Sequence, residues 1–307
     1  MARLVFFGNE RIATGITTDA PVLRTLLAAG HDVVAVVVAQ EAGGQSRKQR
    51  PLEVAAIAEA HGIPVLSPAK LSDILSQLAD YQAVAGILVA YGKLVPQSVI
   101  NLFPSGIINL HPSLLPAHRG SIPLEAALLA GDPETGVSLM QLVREMDAGP
   151  VYTQEKITLS GSETKQALAD GLLELGRTML LKKLPTILDG SSQPQAQTTA
   201  DVTYDQRLSK DAGLLGPSDW EQPAATIERM IRAYAGWPRI RTKIGTTDII
   251  ITGAHLAEGD GAPGTLWIEN KEFGMHAQDG VVVIDTLIPA GKRSMSGRDF
   301  LLGYKIV

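Results

Sequence analysis

The sequence predicts an α/β fold in which a doubly wound, mostly parallel sheet is followed by a small β-barrel domain. From Leu4 to about Leu142, short β-branched runs alternate with helical segments, as in sheets built from strand–helix–strand units. The run DVVAVVV at 32–38 is continuously apolar, as expected of a central parallel strand covered on both faces. Beyond residue 204, short strands separated by Gly and Asp turns are typical of a small barrel.

The elements of the first half follow from apolar periodicity and from the positions of Gly and Pro. A helix from Thr18 to Gly30 carries its apolar residues on one face, and Gly30 is suited to end it. A second helix is predicted from Pro51 to Gly62. The remaining apolar runs are short and β-branched, and they predict strands at 4–8, 32–38, 84–90, 106–111 and 136–143.

The second half begins with an alternating strand at 151–159 and a long helix from Ser162 to Gly190. The stretch that follows is rich in Ser, Gln and Thr and has no periodic apolar pattern, which indicates a linker. A helix at 223–234 then precedes the short strands. We therefore expect a first domain at 1–189, a linker at 190–203 and a barrel domain at 204–307.

The composition is that of a globular protein, with 307 residues, of which 45% are hydrophobic and 19% are charged. Cysteine is absent, which excludes disulfides and thiol nucleophiles and fits a cytoplasmic location. No stretch approaches the roughly 18 apolar residues that span a bilayer, so no membrane partner is expected. The net charge of −5 argues against a uniformly basic nucleic-acid binder and leaves room for local basic patches.

The motifs of several enzyme classes are absent from the sequence. There is no G-x-x-x-x-G-K-[ST] loop, and the turn at Gly8 lacks the G-x-G-x-x-G that a dinucleotide needs. There is neither a G-x-S-x-G elbow nor an H-E-x-x-H pair. The six histidines lack metal-ligand spacing, so no metal is expected. These absences disfavour a dehydrogenase, a kinase and a zinc hydrolase.

The run IINLH at 107–111, which Pro112 ends, is the most informative part of the chain. Side chains alternate along a strand, so Asn109 and His111 share one face, at a carboxyl end where such sheets bind ligands. An amide can donate to a developing oxyanion, and an imidazolium can stabilise that oxyanion or move a proton. Taken alone, such a pair is more often the end of a strand whose polar side chains form hydrogen bonds to the following turn. The neighbouring motifs distinguish this interpretation from the catalytic one.

Three segments in order resemble the folate-dependent formyltransferases: NLHPSLLPAHRG from Asn109, GDPETGV from Gly131 and MDAGP from Met146. The resemblance implies a formyltransferase-like first domain that transfers a formyl group from 10-formyltetrahydrofolate to an amine. It also implies Asn109, His111 and Asp147 as the catalytic set. Asp147 follows the strand at 136–143, at another carboxyl end, where its carboxylate could favour the cationic form of His111 or accept the amine proton.

The resemblance further assigns the small, mostly apolar loop after the catalytic pair to the folate. A flat pterin needs apolar walls with a few backbone partners, and the end of the strand at 84–90 is a candidate for the opposite wall. The turn GNERIATG from Gly8 departs from the family's usual G-T-P-x-F. Arg119 is either an anion contact or a surface residue. The residues expected to bind folate are Ser113, Leu114, Leu115 and Pro116 in the loop, and Leu88, Val89, Ala90 and Tyr91 at the strand end.

The second half of the sequence narrows the resemblance to one group of formyltransferases. The segments YDQRLSKD from Tyr204, IERMIRAYAGWP from Ile227 and GKRSMSGRDFLLG from Gly291 are similar to the carboxy-terminal half of the methionyl-tRNA formyltransferases. The resemblance implies an OB-like, tRNA-binding barrel, initiator methionyl-tRNA as the acceptor and a role in translation initiation. We expect the protein to be a monomer. Two other functions stay open, namely formyl transfer to another amine such as a sugar nucleotide, and RNA binding by a chain that has lost catalysis.

Two basic stretches are candidates for RNA contacts. The loop EAGGQSRKQRP at 41–51, shorter and less regular than the family's usual basic loop, brings together Arg47, Lys48 and Arg50. These side chains could hold acceptor-stem phosphates or simply face solvent. In the second domain the candidates are Arg232, Arg239, Arg241 and Lys243.

Overall fold

A computed structural model describes residues 1–39 and 52–304 of the protein. Among these residues, no helix is both long and apolar enough to cross a membrane. The strands are β1 (Arg3–Gly8), β2 (Asp32–Val37), β3 (Val65–Leu66), β4 (Ala85–Val89), β5 (Ile107–His111), β6 (Arg119–Gly120), β7 (Glu134–Gln141), β8 (Val151–Thr158), β9 (Tyr204–Asp205), β10 (Ile240–Ile244), β11 (Thr247–Ala257), β12 (Leu266–Glu269), β13 (Glu272–Ala277), β14 (Gly280–Pro289) and β15 (Met295–Ser296). The helices are α1 (Pro21–Ala28), α2 (Glu53–Ala60), α3 (Leu75–Asp80), α4 (Gln97–Ile100), α5 (Pro123–Ala130), α6 (Lys165–Leu188), α7 (Ala224–Ala233) and α8 (Gly297–Gly303).

The chain divides into two compact units. The amino-terminal unit comprises Met1–Leu124, Pro133–Leu159 and Gln166–Gln206. The carboxy-terminal unit comprises Glu125–Asp132, Ser160–Lys165 and the chain from Arg207 onward. The stretch predicted as a linker at 190–203 therefore belongs to the amino-terminal unit. Apolar periodicity did not reveal this, because the stretch contributes polar contacts rather than an apolar face.

The amino-terminal unit is built on a seven-stranded sheet with the order β3-β2-β1-β4-β5-β7-β8. The pairs β1–β2, β2–β3, β1–β4 and β4–β5 are all parallel. Every residue of β4 and of β5 is buried, which explains their nearly continuous apolar sequences. On one face of the sheet, Phe7 packs edge to face against Tyr91 and Phe103, with ring centroids 6.0 and 5.8 Å apart. The predicted doubly wound, mostly parallel sheet is thus confirmed.

The direction of β7 differs from the sequence-based expectation. β7 runs antiparallel to β5, with Ser138 opposite His111 and Gln141 opposite Ile108. The carboxyl end of β7 therefore lies beside the amino-terminal half of β5. Asp147 does follow the carboxyl end of a strand, as expected, but that strand runs in the direction opposite to β5. The segment between β5 and β7, which contains β6 and α5, therefore begins and ends at the same edge of the sheet. A short connection then joins β7 to β8, which is antiparallel to it in turn.

The carboxy-terminal unit contains an antiparallel sheet with the order β10-β11-β14-β13-β12, and β15 pairs with β14. Helix α7 packs on β11 and β14, and α8 packs on β13 and β14. Phe273 and Phe300 are fully buried between these elements and stack with ring centroids 5.5 Å apart. The predicted domain of short strands is therefore present. Within the described residues the end strands β10 and β12 do not pair with each other, so the pairing path is open.

The turn after β1, whose sequence departs from that usual in the family, contains the buried carboxyl group of Glu10. Glu10 is fully buried, and its two carboxylate oxygens accept hydrogen bonds from the N–H groups of Val22 and Leu23 at 2.9 and 2.8 Å. These N–H groups belong to the first turn of α1, where unpaired donors need an acceptor. The N–H of Glu10 in turn donates to the carbonyl of Val89 at the end of β4. Burial raises the pKa of Glu10 to about 7, although both backbone hydrogen bonds favour the charged form.

Replacing Glu10 by glutamine should make stability less dependent on pH between about 4.5 and 7. In the unfolded chain Glu10 ionises near its ordinary pKa of 4.5, whereas in the folded chain the pKa is about 7. The folded state therefore holds a proton that the unfolded state has released. As pH rises through this window, the wild type should lose roughly 3 kcal/mol of stability that the variant does not lose.

Urea unfolding of both proteins between pH 4 and pH 8 measures this difference. The comparison is between slopes, because glutamine has only one oxygen for the two N–H groups and lowers stability at every pH. Parallel curves for the two proteins would show that the Glu10 carboxyl ionises alike in the folded and unfolded states.

Candidate active site

Strand β5 presents the catalytic pair predicted from the sequence. Asn109 and His111 are 5% and 4% exposed, and their alternation places them on the face opposite Ile108 and Leu110. Leu110 is covered by α6, where Gly176 leaves no room for a side chain, because an added Cβ would lie 2.5 Å from a Leu110 methyl group. Within the described residues the Asn109 side-chain amide makes no hydrogen bond, so its N–H groups stay available to a ligand.

The ring of His111 is oriented by one backbone carbonyl. Its Nε2 lies 2.9 Å from the carbonyl oxygen of His118. A carbonyl oxygen can only accept, so Nε2 carries the hydrogen and donates it. Nδ1 faces the Oδ1 atom of Asp147 at 3.7 Å, which is ion-pair distance rather than a short hydrogen bond. Nδ1 is therefore the ring atom that can gain or lose a proton beside a carboxylate.

Asp147 reaches this position through the loop between β7 and β8. The residue has a left-handed backbone with φ of 49°, a conformation that Asp tolerates better than most residues. Its Oδ2 accepts a hydrogen bond from the N–H of Gly120 at 2.9 Å. The loop folds back tightly at Gly149, where an added Cβ would lie 1.9 Å from the carbonyl oxygen of Gln141. This return brings Asp147 to His111 although β7 runs in the opposite direction to β5.

Polar side chains of β7 and β8 form hydrogen bonds with the backbone of the loop assigned to folate. The hydroxyl of Ser138 donates to the carbonyl of Ser113 at 2.6 Å and accepts from the N–H of Leu115 at 3.1 Å. The amide of Gln154 donates to the Leu115 carbonyl and to Ser138, both at 2.8 Å. Ser113 and Leu115 are buried, whereas Leu114 and Pro116 are half-buried at the surface of the loop. The loop is thus rigid and offers its backbone and two apolar side chains.

The four residues at the end of β4 lie next to β5 but are mostly inside the unit. Leu88 pairs with Asn109 across the sheet, and both Leu88 and Tyr91 belong to the apolar cluster on one face. Burial raises the pKa of Tyr91 to about 12. Val89 is fully buried, while Ala90 is half-buried and left-handed, with φ of 52°. Their assignment to a folate wall stays a prediction.

Arg119 is an internal residue and not a surface one. It is 8% exposed, and its Nη1 donates to the hydroxyl of Tyr204 at 2.7 Å. Its guanidinium lies 5.4 Å from the centre of the same ring. Its Nε and Nη2 donate to Gln197. The sequence did not single out Gln197, Ser138 or Gln154, because isolated polar residues on strands and in a polar stretch carry no periodic signal.

The cations predicted to contact RNA lie in different settings. Arg47, Lys48 and Arg50 fall outside the described residues. Arg232 is bound within its own unit, since its guanidinium pairs with Glu228 at 2.6 Å and donates to the carbonyl of Glu163. Three cations remain on the solvent side of β10 and the residue before it: Arg239 and Lys243, which are exposed, and Arg241, which is half-buried.

The chain matches known proteins over nearly its whole length. Residues 10–184 match the family model described as formyl transferase, and residues 210–305 match that of the formyl transferase carboxy-terminal domain. The methionyl-tRNA formyltransferase of Roseobacter denitrificans is 34% identical over 307 residues, which are 99% of this chain and 96% of that protein. The methionyl-tRNA formyltransferase of Roseiflexus castenholzii is 34% identical over 312 residues, with the same shares covered.

A solved structure has the same fold. The N-formyltransferase from Helicobacter canadensis, in complex with folinic acid and dTDP-3-aminofucose, superposes with a TM-score of 0.69. It is 18% identical, and the match covers 92% of this chain and 98% of that one. At this identity the likeness shows the fold alone. The two family models cover both units and include Asn109, His111 and Asp147, so the chain belongs to the formyl transferase family, as its sequence motifs predicted.

Proposed function

We propose that the protein transfers the formyl group of 10-formyltetrahydrofolate to the α-amine of initiator methionyl-tRNA. The observation that carries the proposal is the meeting of Asn109, His111 and Asp147 at the end of β5 in a chain of this family. The acceptor follows from the 34% identity to two methionyl-tRNA formyltransferases across both units. A sugar nucleotide is the alternative acceptor, and its support is a likeness at 18% identity.

The chemistry requires an amine to attack the formyl carbon, which turns the formyl oxygen into an oxyanion. The unused N–H groups of Asn109 can donate to that oxygen, and a protonated His111 beside it adds positive charge. When the tetrahedral intermediate collapses, the bond from carbon to N10 of the folate breaks and N10 takes a proton. The products are the formylated amine and tetrahydrofolate.

The groups placed to transfer protons are Nδ1 of His111 and the carboxylate of Asp147. The attacking nitrogen becomes cationic and must lose a proton before the intermediate collapses towards product. The Asp147 carboxylate, which is 14% exposed, can accept that proton directly or through a water molecule. As long as it is charged, it also stabilises the imidazolium of His111. The carboxylate thus has two roles at one position.

Binding of the RNA is proposed for the carboxy-terminal unit. Arg241 and Lys243 lie on the same face of β10, with the buried Thr242 between them on the other face, and the exposed Arg239 directly precedes the strand. A cavity of about 720 Å³ borders Arg241 and Lys243 and is lined mainly by apolar side chains such as Leu214 and Met275. Cations beside an accessible concave surface are suited to phosphates of a nucleic acid.

The direct test supplies the purified protein with 10-formyltetrahydrofolate and a series of amines. Initiator methionyl-tRNA should be formylated with a much higher kcat/KM than free methionine or an amino-sugar nucleotide. Efficient transfer to the amino-sugar nucleotide alone would replace the proposed acceptor. Binding of the tRNA without any transfer would favour a chain that has lost catalysis.

Neutralising the exposed cations in β10 and directly before it should weaken tRNA binding without changing the chemistry. In the variant with Arg239 and Lys243 both replaced by alanine, we expect a higher KM for the tRNA and an unchanged kcat. The slope of log affinity against log salt should become shallower by up to roughly 0.9 for each phosphate that is no longer bound. Lys156→Ala is the matched control, because Lys156 is an exposed lysine on the edge strand β8 that pairs with Glu134. Equal slopes for variant and control would place the RNA elsewhere.

A further inference from the structure

The polar stretch that the sequence predicts to be a linker is attached to the catalytic loops at both of its ends. We call residues 195–205 the strap. At its start, Gln195 exchanges two backbone hydrogen bonds with Val151, of 2.7 and 2.9 Å. At its end, β9 pairs in parallel with β6, which aligns Tyr204 with Arg119 and Asp205 with Gly120. The strap therefore spans from the loop that carries Asp147 to the loop that follows His111.

Gln197 lies within the strap and joins the two loops through its side-chain amide. Its Nε2 donates to the carbonyls of Asp147 and Gly149 at 2.8 and 2.7 Å. Its Oε1 accepts from Nε and Nη2 of Arg119 at 3.1 and 2.7 Å. The amide has two N–H donors and an oxygen with two lone pairs, so all its hydrogen-bonding capacity is used. The opposite orientation would set N–H groups against the guanidinium, and the amide is therefore fixed.

The last residues of the strap hold the segment that orients His111. The carbonyl of His118 accepts the hydrogen bond from Nε2 of His111, and the ring of His118 pairs with Asp205 at 2.9 Å. The N–H of His118 donates to the hydroxyl of Thr203 at 2.7 Å. Gly120 follows with φ of 118° and lies so close to the strap that an added Cβ would be 2.6 Å from the Asp205 carbonyl oxygen. The N–H of this glycine holds the Asp147 carboxylate.

Two of the residues that these contacts hold have uncommon backbone conformations. Asp147 and His118 both lie in the left-handed region, with φ of 49° and 57°. Such conformations persist only where the surroundings determine them. For Asp147, the surroundings include the two hydrogen bonds from Gln197 to its own carbonyl and to that of Gly149.

We propose that Gln197 is a positioning residue, which acts on catalysis by holding Asp147 at the correct distance from His111. The inference rests on the proposed function, since it assumes that Asp147 serves the transfer reaction. Displacements of about 1 Å in a catalytic group can cost up to about 100-fold in rate. Loss of the Gln197 amide removes its two hydrogen bonds to the backbone of the loop that carries Asp147 and the two that Arg119 donates to it. The hydrogen bonds that Ser138 and Gln154 make to the folate loop stay in place.

The first test compares two substitutions of Gln197 in the full-length protein. Gln197→Ala should lower kcat by about 10- to 100-fold, with the KM for the folate changed less than about threefold. Gln197→Glu keeps an acceptor for Arg119 but sets carboxylate oxygens against the carbonyls of Asp147 and Gly149. We therefore expect Gln197→Glu to be as slow as Gln197→Ala. Recovery of activity in Gln197→Glu would mean that the residue only satisfies Arg119, and would overturn the proposal.

The second test asks whether Gln197 acts through Asp147. In an Asp147→Asn background, Gln197→Ala should reduce single-turnover transfer by less than about twofold, because the positioned carboxylate is already gone. A purely structural role would lower activity by the same factor in both backgrounds and would overturn the proposal. Gln195→Ala is the matched control, since Gln195 is exposed and joins the strap through its backbone.

These tests separate the two proposals. If the wild-type protein formylates no amine, the proposed function fails before Gln197 is tested. If the wild type is active and Gln197→Ala retains its kcat, the proposed function stands and the positioning role fails. Thermal unfolding of each variant, followed by circular dichroism, shows whether the variant is folded at the assay temperature, and only folded variants are compared.

Discussion

Replacing Asn109 or His111 by alanine should lower kcat by at least about 100-fold while the protein stays folded. Removal of one donor to a developing oxyanion typically costs about 10²–10³ in rate. The Asn109 amide makes no hydrogen bond among the described residues, so its loss breaks no internal contact of the side chain. His111→Ala removes the imidazolium together with the proton carrier and is expected to be the slower of the two.

Controls of the same residue type are present in the same unit. His61 and Asn101 are on the surface, where each makes one local hydrogen bond, and alanine at either position should leave kcat unchanged. Rates should be measured at saturating folate and tRNA, so that a change in binding is not mistaken for a change in chemistry. A kcat close to that of the wild type in either active-site variant would remove the mechanism proposed for that residue.

Asp147→Asn should produce the second large effect, a loss of about 100-fold or more in kcat. General acid–base groups contribute about 10²–10⁴ to rates. Asparagine keeps the shape of aspartate and can still accept the hydrogen bond from Gly120, but it carries no charge and takes up no proton. The affinity for the folate, measured by the change in protein fluorescence on binding, should stay within a few-fold of the wild type.

The split between kcat and binding identifies the role of Asp147. A collapse of folate affinity with turnover at saturation intact would make Asp147 a binding residue. Asp80→Asn, at an exposed position at the end of α3, controls for the loss of one carboxylate from the unit.

Local sequence was sufficient to predict the features that depend on a periodic pattern of side chains. The alternation along IINLH correctly placed Asn109 and His111 on one face of β5, because side chains on a strand point to opposite sides whatever surrounds them. The apolar runs likewise predicted the buried strands β4 and β5. The motifs predicted the family, and the family models confirmed it.

The same reasoning failed where strand direction mattered. Asp147 follows the carboxyl end of a strand, as predicted, but β7 is antiparallel to β5, so the carboxyl ends of the two strands lie at opposite edges of the sheet. The direction of a strand depends on whether the segment before it returns to the same edge of the sheet or crosses to the other. The segment before β7 contains β6 and α5, and local periodicity does not encode where it ends. The 3.7 Å approach of Asp147 to His111 comes instead from a loop that folds back over Gly149.

By itself, the sequence determined the fold class, the family and the shared strand face of Asn109 and His111. These depend on patterns within a few residues or on motifs of a dozen residues. Only the tertiary structure decided which polar side chains are used internally and which face a ligand or solvent. Arg119 and Arg232 are bound within their units, and the polar stretch around Gln197 is a strap rather than a linker. The physical reason is that a hydrogen bond is set by distance and direction between groups far apart in sequence, which local periodicity does not encode.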